Sequence, residues 1–212
     1  MFTMPSALAK EEPRTCRSAN GRPTPPYRSD YTYADVLEWD EDFRAEIIEG
    51  ELFMMSPPVR KHQGLLGELF NQLYNFLKGK PCKVYAAPFG VRLYPRKDLR
   101  DKTLLEPDIS VICDPSKLDE RGCNGAPDMI IEILSPSTST KDKVRKYNLY
   151  LDAGVREYWI VDPKAETVQV YVLENGRYAA ASYGVEPELR ADTIAVTVLP
   201  GCTINLKEVF AE

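Results

Sequence analysis

Residues 129–134 have the sequence Met-Ile-Ile-Glu-Ile-Leu, an apolar run with a single carboxylate, Glu132, inside it. A second near-continuous apolar run covers residues 109–113. Short apolar runs of this kind are typical of strands in the middle of a sheet that is covered on both faces. An unpaired carboxylate in such a strand would be costly. Glu132 therefore predicts a partner, which could be a cation, a lysine or a set of N–H donors.

Helix and hairpin signals surround these two strands. Apolar side chains recur at helical spacing over residues 62–77, and a capping segment at residues 135–140 precedes a charged amphipathic helix over residues 141–153. Tight turns at Glu49-Gly50 and Asn175-Gly176 predict hairpins. An extended stretch interrupted around Pro88 is predicted over residues 84–94, further strands over residues 155–161 and 195–199, and a polar loop over residues 114–127. This order of elements favours an α/β fold with helices packed on a mixed sheet.

Size and composition predict one globular domain. The chain has 212 residues, of which 43% are hydrophobic, enough for a sizeable core. Residues 1–28 are proline-rich with little apolar periodicity, so we expect a disordered tail there and a single domain over residues 29–212. No stretch approaches the roughly 20 apolar residues of a membrane span, and we expect no membrane partner.

The cysteines and the charge limit the function classes. The five cysteines include no CxxC pair, so neither a disulfide framework nor a zinc knuckle is predicted. The start of the chain lacks the features of a signal peptide, and we expect reduced thiols in the cytoplasm. The net charge of −5 argues against a strongly basic nucleic-acid clamp. Any affinity for DNA should be modest without a metal.

Three side chains form the candidate site: Asp108, Glu132 and Lys146. Asp108 begins one predicted central strand, Glu132 lies in the other, and Lys146 lies on the helix that follows. Magnesium takes about six oxygen ligands, commonly one or two protein carboxylates with water and phosphate. Lys146 could orient an attacking water or stabilise an anionic transition state. The alternatives are a surface ion pair between Asp142 and Lys146, and a buried ion-pair role for Glu132 alone.

His62 is the only histidine, which excludes histidine-rich zinc sites. It begins the predicted helix over residues 62–77, where we expect a capping or surface role. A place in the lining of a cleft is the alternative.

The motifs around these residues resemble a known family. They are Pro107-Asp108, residues 126–128 (Ala-Pro-Asp), residues 132–137 (Glu-Ile-Leu-Ser-Pro-Ser), the helix of Lys146 and residues 154–162 (Gly-Val-Arg-Glu-Tyr-Trp-Ile-Val-Asp). Together they resemble the Uma-type putative restriction endonucleases of the PD-(D/E)XK nuclease superfamily. The resemblance covers roughly residues 30–205.

The resemblance implies a restriction-endonuclease-like mixed β-sheet flanked by helices, with additional β-hairpins at both ends. It also implies DNA cleavage that depends on Mg²⁺ or Mn²⁺, with Asp108 and Glu132 as the metal-binding acids. The superfamily's lysine two residues after the second acid is Leu134 here, and Lys146 is the expected replacement. Residues 44–52 resemble the family's N-terminal hairpin, in which Glu46 adds a further acid near the metal. A hairpin acid on a solvent face is the alternative for Glu46.

Two functions of different classes follow. The first is an endonuclease that hydrolyses DNA phosphodiesters through a metal-activated water. The second is a nuclease-fold binding or interaction module that has lost catalysis, which Leu134 and the acidic net charge favour. Nucleases that cut both strands often pair about a two-fold axis, so a homodimer is a further expectation.

Overall fold

The computed structural model describes residues 28–39, 43–135, 140–184, 189 and 191–211. The predicted tail at residues 1–28 therefore lies outside the described residues, except for Arg28. Most of the predicted capping segment, residues 136–139, lies outside them as well.

The described residues form a central sheet, helices that flank it and several smaller sheets. The helices are α1 (Tyr33–Val36), α2 (Arg60–Leu77), α3 (Thr140–Ala153) and α4 (Leu206–Val209). The strands are β1 (Ala45–Ile48), β2 (Glu51–Met54), β3 (Lys83–Ala86), β4 (Gly90–Arg92), β5 (Ile109–Ile112), β6 (Leu118–Asp119), β7 (Gly122–Asn124), β8 (Met129–Ile133), β9 (Glu157–Asp162), β10 (Thr167–Glu174), β11 (Arg177–Gly184), β12 (Thr193–Ala195) and β13 (Thr203–Asn205).

The central sheet has six strands in the order β11-β10-β9-β8-β5-β3. Strands β8 and β9 are parallel and are joined by α3, whereas the other neighbouring pairs are antiparallel. Smaller sheets are formed by β1-β2, by β4-β7-β6 and by β12-β13. This mixed sheet with flanking helices confirms the predicted α/β class. The hairpin β1-β2 precedes the central sheet, and the hairpin β10-β11 extends it.

Apolar side chains cover both faces of the central sheet. One core contains Leu65, Leu69 and Leu73 of α2 with Ile109, Val111, Ile131 and Trp159 of the sheet. The other contains Leu149 and Tyr150 of α3 with Ile112, Ile130, Tyr158 and Ile160. Because successive strand residues point to opposite faces, the continuous apolar runs of β5 and β8 supply both cores. Full burial of each such aliphatic or aromatic side chain stabilises the fold by about 1.5–3 kcal/mol.

The predicted loop at residues 114–127 contains structure of its own. A 3₁₀ turn at Pro115–Lys117 is followed by β6 and β7, and β7 pairs with β4 in parallel. Gly122 is required there, because a Cβ at this position would lie 2.0 Å from the carbonyl oxygen of Gly90. The sequence pattern does not predict these strands, because they are only two or three residues long.

The strand predicted at residues 195–199 is wrong. The strand β12 ends at Ala195, and the chain then turns, with the Val196 amide donating to the Cys202 carbonyl at 3.0 Å. Val196 and Leu199 are nevertheless buried in the core against α2. These buried apolar residues gave the sequence the pattern of a strand, but the chain brings them into the core through a tight turn.

The prediction that no cysteines pair is also wrong. Cys82 and Cys113 form a disulfide with an S–S distance of 2.07 Å. They flank the β3-β5 ladder one position beyond the Lys83↔Ile112 pair, so strand register brings them together. Cys123 and Cys202 are free and buried. In the part of the chain that the structure describes, no helix is long and apolar enough to cross a membrane.

Candidate active site

Asp108 and Glu132 lie at the same end of two neighbouring strands. In the antiparallel β5-β8 ladder Ile109 is opposite Ile131, so the next register position places Asp108 opposite Glu132. The ladder is extended by the Asp108 side chain, whose Oδ2 accepts a hydrogen bond from the Ile133 amide at 2.7 Å. The two carboxylates therefore share one edge of the central sheet.

Lys146 reaches this edge from α3. Its Nζ donates to Oε1 of Glu132 at 2.9 Å and to Oε1 of Glu46 at 2.8 Å. The side chains of these three residues are only 16%, 14% and 9% exposed, respectively. The helix α3 connects β8 to β9 and packs on the sheet face to which Glu132 points, which explains how a helical lysine reaches a strand carboxylate.

Lys146 forms ion pairs with Glu46 and Glu132, whereas the alternative was a surface ion pair with Asp142. Lys146 is engaged by two acids of the site rather than exposed on the surface. The side chain of Asp142 lies outside the described residues, so the surface ion pair between Asp142 and Lys146 stays a prediction.

Glu46 is held in place by the segment that precedes Asp108. Its Oε1 also accepts a hydrogen bond from the Glu106 amide at 3.0 Å. The Glu106 carboxylate in turn accepts from Nη2 of Arg44 at 2.6 Å. Glu46 is buried, with 7% of its surface exposed. It is therefore not a hairpin acid on a solvent face.

His62 is the residue of this edge whose environment the sequence reasoning missed. It is buried, and its Nε2 lies 3.2 Å from Oδ1 of Asp108. Within the residues that the structure describes, its Nδ1 has no hydrogen-bond partner. The expected capping or surface role is wrong, because His62 belongs to the same stripe as Leu65 and Leu69, three and seven residues further on. That periodicity was the available signal that His62 faces inward.

The charges at this edge shift one another's protonation. Burial raises the pKa of Glu132 to about 7; the Lys146 ammonium opposes this rise, and the Glu46 and Asp108 carboxylates add to it. Burial lowers the pKa of Lys146, but the charges of Glu132 and Glu46 outweigh this and raise it. Lys146 is therefore an ammonium at neutral pH. With one ammonium among several carboxylates, Glu132 retains its proton to a higher pH than an ordinary glutamate.

The donor set suits a hard divalent cation that brings its own water ligands. Among the described residues, no three His, Cys, Asp or Glu side chains are grouped so that they could hold a metal ion. Mg²⁺ however needs only one or two protein carboxylates. Asp108 and Glu132 supply such a pair, and no donor of the described chain contacts Oε2 of Glu132. The residues present therefore fit Mg²⁺ or Mn²⁺ with a largely aqueous coordination shell.

Comparison with solved structures places the fold in a nuclease-like class. The crystal structure of a putative nuclease belonging to DUF820 from Anabaena variabilis ATCC 29413 superposes with a TM-score of 0.67 at 23% identity. The match covers 85% of this chain and 98% of that protein. At this identity the likeness concerns the fold alone, and it confirms the expected nuclease-like mixed sheet.

The family follows from the sequence match. The model of the Uma2 family, described as "Putative restriction endonuclease", matches residues 33–207. The chain therefore belongs to the Uma2 family, which confirms the resemblance found in its motifs. The uncharacterized protein slr1290 of Synechocystis sp. is 23% identical over 167 residues, which cover 77% of this chain and 85% of that protein.

Proposed function

We propose that this protein is a metal-dependent endonuclease that hydrolyses the phosphodiester bonds of DNA. The observation that carries the proposal is the convergence of Asp108, Glu132 and Lys146 at one edge of the sheet. Family membership supports an endonuclease, and the two carboxylates support the dependence on Mg²⁺ or Mn²⁺.

Asp108 and Glu132 would hold the cation between adjacent strands. When bound, the cation supplies Lewis-acid chemistry, since it neutralises phosphate charge and makes water more acidic. The strands fix the two carboxylates relative to each other, because Asp108 accepts from the Ile133 amide next to Glu132. His62 fixes Asp108 from α2 through the contact to Oδ1. These two contacts hold the Asp108 carboxylate beside the end of β8.

Lys146 would act on the substrate phosphate or on the attacking water. An ammonium has three protons to donate, and two of them are directed at Glu46 and Glu132. No third acceptor in the described chain contacts Nζ, so the third proton would be available to an anionic oxygen of the transition state, which fixed positive charge stabilises. Glu46 would hold the lysine in this position and need not bind the metal itself. The position two residues after Glu132 holds Leu134, which packs in the core with α3.

A catalytically inactive nuclease-fold module is the second candidate. The observation that favours it is that each oxygen of Asp108 already has one partner, the Ile133 amide on Oδ2 and Nε2 of His62 at 3.2 Å from Oδ1. A cation would have to share one of these oxygens with its present partner. A measurement of metal binding therefore distinguishes the metal-dependent endonuclease from the inactive module.

The test combines cleavage with metal binding. We expect purified protein to nick or linearise plasmid DNA in Mg²⁺ or Mn²⁺ and to melt at a higher temperature with Mn²⁺ than without it. Asp108→Asn and Glu132→Gln should each reduce cleavage at least about a hundredfold and abolish the Mn²⁺ stabilisation. Glu174→Gln, an exposed carboxylate at the end of β10, is the matched control and should cleave normally.

The outcomes are distinct. Cleavage retained in Glu132→Gln would move the active site elsewhere. A wild-type chain that neither binds Mn²⁺ nor cleaves DNA would favour the inactive module.

The homodimer expected from two-strand cleavage belongs to this proposal as well. A two-fold dimer would present two copies of the Asp108 and Glu132 edge to the two strands of a duplex. Light scattering of the purified chain tests it, and a monomeric mass with linearising activity would exclude the dimer as a requirement.

A further inference from the structure

We propose that Tyr150 is a positioning residue of this site, which together with Lys146 occupies Oε1 of Glu132 and leaves Oε2 as the oxygen that binds the cation. The inference rests on the proposed function and deepens it, because it names the residue and the oxygen that determine how Glu132 meets the metal.

Two donors converge on one oxygen of Glu132. The Tyr150 hydroxyl donates to Oε1 at 2.6 Å, and Nζ of Lys146 donates to the same oxygen at 2.9 Å. Tyr150 follows Lys146 by one helical turn on α3, so both side chains leave the helix from the same face. A carboxylate oxygen accepts about two hydrogen bonds in its plane, and Oε1 is therefore saturated. Within the described chain Oε2 receives none, so a cation meets Glu132 through this oxygen.

The tyrosine ring is fixed by its surroundings. Tyr150 is fully buried, and its ring meets that of Tyr158 edge to face with centroids 4.9 Å apart. Tyr158 lies on β9, the strand that pairs with β8 in parallel at Ile130. The contact with Tyr158 therefore fixes the position of the Tyr150 ring, and with it the hydroxyl, relative to β8, the strand that carries Glu132. Side chains that orient a ligand in this way typically change metal affinity or activity by about 10–100-fold when they are removed.

A phenylalanine would fill the same space but would not hold Glu132. The neighbouring Tyr178 offers a direct comparison, because its hydroxyl donates to the Val155 carbonyl at 2.9 Å instead of to a carboxylate of the site. Tyr150 is buried in this core, and Tyr178 is partly buried against it. Removing either hydroxyl deletes one hydrogen bond, but only Tyr150→Phe removes one of the two donors from Oε1 of Glu132.

The experiment compares Tyr150→Phe with Tyr178→Phe in the full chain. Mn²⁺ binding is measured by titration calorimetry, folding by metal-free thermal unfolding, and cleavage as a function of Mn²⁺ concentration. We expect Tyr150→Phe to weaken Mn²⁺ binding about 10–100-fold and Tyr178→Phe to change it less than about twofold. At saturating Mn²⁺, cleavage by Tyr150→Phe should recover to within about tenfold of the wild type, because Lys146 remains.

Each result has one meaning. Unchanged Mn²⁺ affinity in Tyr150→Phe overturns the positioning role while the wild type continues to bind metal and cleave. A wild type that neither binds nor cleaves overturns the proposed function and this inference with it. If Tyr150→Phe does not fold, wild-type crystals soaked in Mn²⁺ decide: a cation on Oε2 with Oε1 still held by Tyr150 supports the inference, and a cation on Oε1 overturns it.

Discussion

The ammonium of Lys146 lies 2.9 Å from Oε1 of Glu132, although the lysine is on a helix and the glutamate on the preceding strand. The helix α3 is the connection between the parallel strands β8 and β9, and it has to lie across the sheet face to which Glu132 points. Leu134, two residues after Glu132 on the chain, is partly buried against the same core.

Lys146→Met tests the role of this charge, since it keeps the length of the side chain and removes the ammonium. We expect cleavage to fall at least about a hundredfold, because the fixed positive charge near the phosphate is lost. Mn²⁺ affinity should fall much less, because both carboxylates remain. Lys143→Met on the same helix is the control and should cleave like the wild type. If Mn²⁺ binding collapses together with cleavage, the lysine supports the metal site rather than the substrate.

Glu46→Gln separates a metal ligand from a support for Lys146. The hydrogen bonds of Glu46 go to Lys146 and to the Glu106 amide, so we expect a supporting role. Cleavage should then fall about tenfold with Mn²⁺ binding retained, as measured by the metal-induced rise in melting temperature. Loss of that rise would instead place Glu46 among the ligands.

His62→Gln should remove a pH dependence of stability. Burial lowers the pKa of His62, but the hydrogen bond and the charge of Asp108 outweigh this and raise it. A histidine with a raised pKa in the folded state contributes stability that is fully present below its unfolded pKa of about 6.5. The contribution is lost as pH rises through the folded value. Metal-free wild type should therefore lose stability from pH 6 to pH 8.5 relative to His62→Gln.

Urea unfolding of both proteins at several pH values provides the measurement. Parallel pH profiles for the two proteins would show that the imidazole and Asp108 are not coupled in solution. His62→Gln should also reduce Mn²⁺ affinity, because Asp108 loses the partner that holds Oδ1.

The sequence predicted the central sheet well and its surroundings less well, for a physical reason. The runs at β5 and β8 are apolar on both faces, and only a covered central strand accommodates such a pattern. The short strands β6 and β7 carry no periodicity, because two or three residues cannot show one. They are held instead by the close approach of Gly90 and Gly122, which no local pattern encodes.

In the candidate site too, some residues could be predicted from the sequence and others could not. Asp108, Glu132 and Lys146 could be selected from their places on predicted elements, because carboxylates next to buried strands are costly without partners. The contact of His62 with Asp108 and that of Tyr150 with Glu132 depend on how α2 and α3 cross the sheet. Packing angles of this kind are set by the tertiary structure, and the spacing of residues in the chain does not specify them.

The Cys82–Cys113 disulfide should contribute measurably to stability. It closes a loop with a sequence separation of 31 residues, and constraint of the unfolded chain by a loop of this size is worth about 3–4 kcal/mol. Reduction with dithiothreitol should lower the urea midpoint of the wild type, and the double variant Cys82→Ser, Cys113→Ser should match the reduced protein. The double variant itself should not respond to the reductant, because the other cysteines of the described residues, Cys123 and Cys202, are free and buried. An unreduced digest that contains no peptide linking Cys82 to Cys113 would contradict the bond, and an unchanged midpoint after complete reduction would contradict its contribution.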